Sequence, residues 1–251
     1  MCQIPHGEYD RPMATSHVHS DPDAAHVGQT RQYWRDIILG VNDGLVSMIL
    51  LVAGVVGGGL TTDQVLLTTV AGAVAGAISM AAGEYLATKS QDEVLEREIK
   101  LEREHIRDHR QMELDQLRGM FKEMGVHGSD LDTVVGAFGR SDEVLLNAMK
   151  SLEFGVIDTE RRSPYKAAIY SGLFFLSGSL ASIVPFVFVD STAQGLAIAS
   201  LLTAAGLFAV GAFKTRVTNG SLLRAGLENV AISGLGGVAA YFIGSLVNQV
   251  I

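Results

Sequence analysis

The chain has 251 residues, with 19 Lys and Arg against 27 Asp and Glu, a formal net charge of −8, and one cysteine, Cys2. An acidic balance argues against nucleic acid as a partner and for cations. A lone cysteine excludes a disulfide framework or a thiolate metal site built from this chain alone, so metal ligands must be carboxylate, imidazole or thioether.

Residues 1–32 are polar and contain His6, His17, His19 and His26. They lack the apolar stretch of a secretory signal, and their composition predicts a disordered tail. Residues 37–86 then hold only Asp43, Asp63 and Glu84 as charged groups. A hydrocarbon core about 30 Å thick needs roughly 20 apolar residues per helical crossing, which predicts spans at 37–57 and 65–86. Three more are predicted at 167–188, 193–213 and 223–247. The polar block at 90–163 separates the two groups, giving an all-α integral membrane fold with five transmembrane helices and a helical metal-binding domain between the second and third.

The loops 58–64 and 190–194 contain no Lys or Arg, whereas Arg31, Arg35, the middle domain, Lys214 and Arg216 are basic. The positive-inside rule therefore predicts a cytosolic N-terminus and middle domain and an outward C-terminus. Small residues recur four apart, as in Gly40 and Gly44, Gly72 and Gly76, and Ala240 and Gly244, a spacing that lets helix backbones approach closely in lipid.

Three helices are expected in the middle domain. The first continues the second span toward Arg110, the second covers 111–124, and the third starts after Ser141, an N-cap candidate followed by Asp142 and Glu143. On a continuous helical wheel Glu98, Glu102, His105, His109 and Glu113 share one narrow strip. A solvated helix face normally mixes charge signs, and clustered carboxylates repel unless a cation sits between them. Met149 and Glu153, four residues apart, add a thioether and another carboxylate on one face. This donor set suits Fe²⁺ or Mn²⁺ better than Ca²⁺, which prefers oxygen alone.

Ionisable groups inside a bilayer are costly and usually functional. Asp43 falls about 10 Å into the first span at about 1.5 Å per residue, Met80 lies at comparable depth in the second, and Glu84 is one turn nearer the polar domain. These three are expected to line a transport path, with Asn42, Ser47 and Met48 as weaker candidates.

The segments Arg35-Asp36-Ile37-Ile38-Leu39-Gly40-Val41-Asn42-Asp43-Gly44-Leu45 and Ser79-Met80-Ala81-Ala82-Gly83-Glu84-Tyr85, followed by a ligand-rich helix and the Met149 and Glu153 pair, resemble the vacuolar iron transporter family of plants, fungi and prokaryotes. The resemblance runs from Tyr33 to the C-terminus. It implies a homodimer with five spans per subunit, a path at the dimer axis, and exchange of Fe²⁺ or Mn²⁺ for protons, with no permanently bound cofactor. It also implies that Asp43 and Met80 line the path, with Glu84 nearby, and that Glu102, Glu113, Met149 and Glu153 bind metal. His105 and Gln116 stand where the plant pattern has carboxylates, and an imidazole ligand makes capture more sensitive to pH below about 6.5. The charged text around Glu102 looks prokaryotic, which points to a bacterial inner membrane, or a vacuolar membrane in a eukaryote. A membrane-anchored di-iron oxidase is the rival, since Glu102 and His105 have ferritin-like spacing, and a metal sensor is a third reading.

Overall fold

The computed structural model describes residues 31–155, 162–218 and 221–250. The predicted tail, with Cys2, His6, His17, His19 and His26, lies outside the described residues apart from its last two positions, where the first helix has already begun. Among the described residues nine helices follow in order: α1 (Arg31–Gly57), α2 (Thr62–Asp108), α3 (Arg110–Glu123), α4 (Gly128–Phe138), α5 (Asp142–Leu152), α6 (Pro164–Ile183), α7 (Pro185–Phe188), α8 (Thr192–Thr218) and α9 (Leu222–Val250).

Five of them are long and apolar enough to cross a membrane, within Trp34–Gly57, Thr62–Asp108, Pro164–Ile183, Thr192–Phe213 and Gly226–Val250. The fold is thus all-α and integral to a membrane. The third span is shorter than expected because Pro185, which has no backbone N–H to donate, opens the separate helix α7. Leu67 and Ile78 on α2 and Leu235 and Leu246 on α9 remain exposed, as befits an outer surface solvated by lipid rather than water.

The bundle is organised around α1, which packs against α2, α6, α8 and α9. Small residues make this possible. A Cβ at Gly44 would collide with the carbonyl of Phe175, one at Gly178 with that of Val41, and one at Gly244 with that of Gly54. Gly72 and Gly76 face the side chains of Leu51 and Phe175. The glycines singled out by their spacing are therefore used for packing within the chain, bringing α1 to backbone contact with α6 and α9.

Helix α2 is 47 residues long and leaves the apolar region without a break. Its start is fixed by Gln64, whose Oε1 accepts from the Thr61 N–H at 3.0 Å. The polar domain contains the end of α2 plus three further helices, one more than expected. The additional one, α4, follows a turn with Gly125 and Gly128 at φ 94° and 63°, values that glycine tolerates without steric cost. Its Thr, Val and Gly residues are weak helix formers, yet Leu131 and Val135 are buried and Phe138 stacks on Phe121 at 5.6 Å. Tertiary packing outweighs propensity there. Helix α5 starts as expected, with the Val144 N–H donating to Ser141 Oγ at 3.2 Å. Arg110 pairs with Asp142 and Arg118 with Asp132, tying α3 to the other helices.

Replacing Gly178 by Ala drives a methyl group into the α1 backbone. The expected result is a loss of about 1–3 kcal/mol, in the range for overpacked cores, read as a lower melting temperature of the detergent-solubilised protein. The control Gly83→Ala, where a Cβ meets nothing within 4 Å, should leave it unchanged or raise it slightly.

Candidate metal centre and membrane cavity

The expected ligand strip does not lie on one helix. Helix α2 stops at Asp108, His109 forms the corner with φ −135° and ψ 37°, and α3 sets off in a new direction. The His109 carbonyl accepts from the Met112 N–H at 2.9 Å, which closes the first turn of α3. Folding back at this corner carries Glu113 beside the last turns of α2.

The result is a three-residue cluster. Glu102, His105 and Glu113 each offer a ligand atom, all within 4.8 Å of one another, with His105 Nδ1 3.5 Å from Glu113 Oε1. Glu102 and Glu113 are 5% and 1% exposed, and Glu102 Oε1 and Glu113 Oε2 have no hydrogen-bond partner. Two carboxylates buried together, each with one oxygen unpartnered, are strongly unfavourable unless a proton or a cation joins them. Burial is the main reason that the Glu102 pKa rises to about 7, with the charges of Glu113 and then Glu153 adding to it.

The other predicted ligands divide. Glu98, one turn before Glu102, is half-buried and His109 is exposed at the corner; neither joins the three-residue cluster. Met149 is fully buried in the apolar core with Ile106 and Leu117, which lie one turn beyond Glu102 and Glu113 respectively. Glu153 caps the exposed end of α5 and acts on Glu102 through its field.

Within the membrane bundle, Asp43, Ser47, Met48, Ser79 and Met80 line a cavity of about 320 Å³ between α1 and α2, closed on one side by Phe175. The Ser47 hydroxyl donates to Asp43 Oδ1 at 2.9 Å. The cavity therefore joins a carboxylate, two hydroxyls and two thioethers. Glu84 does not line it. Its Oε1 lies 3.2 Å from Arg162 Nη2 and 3.4 Å from Arg35 Nη2, and the same Arg162 nitrogen pairs with the fully buried Asp36. The expected ladder of Asp43, Met80 and Glu84 is thus two separate places. Sequence reasoning missed Asp36 and Arg162, although Asp36 stands seven residues before Asp43 and hence on nearly the same helix face.

The Glu102 pKa carries a sign for stability and for binding. Its folded value lies above the ordinary 4.5, so this group's contribution to the stability of the metal-free domain is complete below about pH 4.5 and is lost as pH rises through about 7. Metal capture would run the other way, because a divalent ion would have to displace the proton on Glu102. Titration of purified protein with Mn²⁺ is expected to give affinity that weakens as pH falls below about 7. Glu102→Gln should weaken it by at least about tenfold, given that even outer-shell partners cost 10–100-fold, and should flatten the pH dependence.

Residues 34–245 match the model of the VIT family. Vacuolar iron transporter 1 of Oryza sativa is 30% identical over 229 residues, 91% of this chain and 90% of that protein. Vacuolar iron transporter 1 of Tulipa gesneriana is 29% identical over 216 residues, 86% of this chain and 87% of its own length. Protein CCC1 of Saccharomyces cerevisiae is 28% identical over 218 residues, 82% of this chain and 66% of that protein. The match runs through all five spans and the polar domain between them, and the chain belongs to the VIT family.

Proposed function

We propose that this protein is a transporter that moves Fe²⁺ or Mn²⁺ out of the cytosol across a membrane, in exchange for protons, as a homodimer. The observation that carries this reading is the cavity inside the five-span bundle, where Asp43 and Met80 face the same space. A carboxylate in lipid is costly unless it is visited by a cation or a proton, and a thioether favours transition metals over Ca²⁺ or Mg²⁺. The names of the relatives, vacuolar iron transporters among them, support iron as cargo and transport rather than enzymatic turnover.

In this scheme the Glu102, His105 and Glu113 cluster gathers the ion on the cytosolic side, with Met149 and Glu153 completing the centre as the neighbouring helices shift. Asp43 then binds metal or proton alternately, which couples the two flows. The Lys and Arg distribution supports a cytosolic N-terminus and polar domain, and the charged character of α2 supports placement in a prokaryotic inner membrane.

Reconstitution into vesicles tests the reading directly. Fe²⁺ or Mn²⁺ supplied outside, with an acidic lumen, should enter and dissipate the proton gradient. Asp43→Asn should cut that flux by at least about tenfold, on the scale of lost metal ligands, while the protein still elutes as a folded species. Vesicles that remain closed to every divalent ion would overturn the proposal, and oxygen consumption driven by Fe²⁺ would favour the di-iron oxidase instead.

A further inference from the structure

Seven buried side-chain polar atoms among the described residues have no hydrogen-bond partner. Two belong to Glu102 and Glu113. The other five are on Asp36, Asn42, Thr88, Arg162 and Ser171, and of these Asp36, Thr88 and Arg162 sit where α1, α2 and the chain entering α6 run nearest the polar domain. Lipid-facing bundles rarely leave such groups unsatisfied, because nothing in hydrocarbon can replace the missing bonds.

The middle of this region is a pair of carboxylates on one guanidinium nitrogen. Arg162 Nη2 donates to Asp36 Oδ2 and, at 3.2 Å, to Glu84 Oε1. Asp36 is fully buried, and the Arg162 and Glu84 side chains are 10% and 12% exposed. Asp36 Oδ1 accepts no hydrogen bond, and Arg35 Nε stands 3.7 Å from it. Arg35 also donates to Glu84 Oε1 at 3.4 Å, but it is itself 63% exposed, a solvated rim cation whose pairing is weak. An arginine built as a structural staple uses its planar fork, two parallel N–H groups on one carboxylate. Here one nitrogen serves both acids and Nε has no partner.

Helix geometry relates this pair to the cavity. Asp36 precedes Asp43 by seven residues and Glu84 follows Met80 by four, so each pair shares nearly one face of its helix. Since α1 and α2 run antiparallel as successive crossings, Asp36 with Glu84 forms one rung and Asp43 with Met80 a second, about 6–10 Å deeper at about 1.5 Å per residue. The outer rung lies on the way from the polar domain to the cavity.

We propose that Asp36 and Glu84 form a binding station for a divalent transition-metal ion, held at rest by the tethered guanidinium of Arg162, which the arriving ion displaces. Two buried carboxylates whose one buried cation is monovalent are better matched by a doubly charged ion, and Asp36 Oδ1, which accepts no hydrogen bond from Arg162, supplies a ligand atom. The inference rests on the transport reading above, and Arg162 acts as a competitor for the station, not as a ligand.

The test uses full-length protein in vesicles, with Fe²⁺ alone as the probe under anaerobic conditions. Arg162→Gln removes the competitor, so KM for Fe²⁺ is expected to fall several-fold, and adding Glu84→Gln to it should abolish that gain. A folded Arg162→Gln protein with unchanged KM would overturn the station while leaving transport intact. If Arg162→Gln fails to fold, Glu84→Gln alone decides: KM should rise several-fold with the maximal rate retained, and an unaltered KM would overturn the station. Absence of any Fe²⁺ flux in the unmutated protein would instead overturn the transport reading on which the station depends.

Discussion

Moving a carboxylate out of water costs several kcal/mol even after the protein relaxes around it, unless a positive charge accompanies it. That cost recurs at three levels of this molecule, and each level meets it differently. In the polar domain Glu102 takes up a proton at a pH where an ordinary carboxyl would have released it. At the mouth of the bundle Asp36 and Glu84 share a guanidinium. Inside the bundle Asp43 has the Ser47 hydroxyl and an open cavity. A proton, a tethered cation and a hydroxyl at a cavity wall are three different partners for negative charge.

These arrangements need a close-packed frame. Lipid offers no hydrophobic drive between helices, so dispersion and close backbone approach have to hold the bundle together. Gly44 and Gly178 let α1 and α6 meet at backbone contact, and Gly244 does the same for α1 and α9. With α1 gripped in this way, Asp43 has a fixed position against α2, and the cavity survives because Gly72 and Gly76 line its α2 wall without filling it.

Much of this was legible in the sequence, and the failures have local causes. The five spans followed from runs of apolar residues, and the start of α5 from Ser141 and the acids after it. Helix α4 escaped because its Thr, Val and Gly content argues against a helix and only the spacing of Leu131, Val135 and Phe138 argues for one. The ligand strip shares one wheel only on an unbroken helix, and the chain turns at His109. Three of its five members still met, since an α-helical hairpin brings the first turn of one helix beside the last turns of the other. The partner of Glu84 could not be read at all: Arg162 is 78 residues away, and no local pattern links them.

The unbroken run of α2 has a mechanical consequence. Met80 and Glu102 are 22 positions apart on one rod, about 33 Å at about 1.5 Å per residue. A pivot of about 5° near Met80 would sweep the far end through about 3 Å, more than the length of a metal–oxygen bond at about 2 Å. Tilting, by which crossing helices respond to bilayer thickness, would therefore displace the Glu102 end of the rod, with the cluster it carries, far more than the Met80 end.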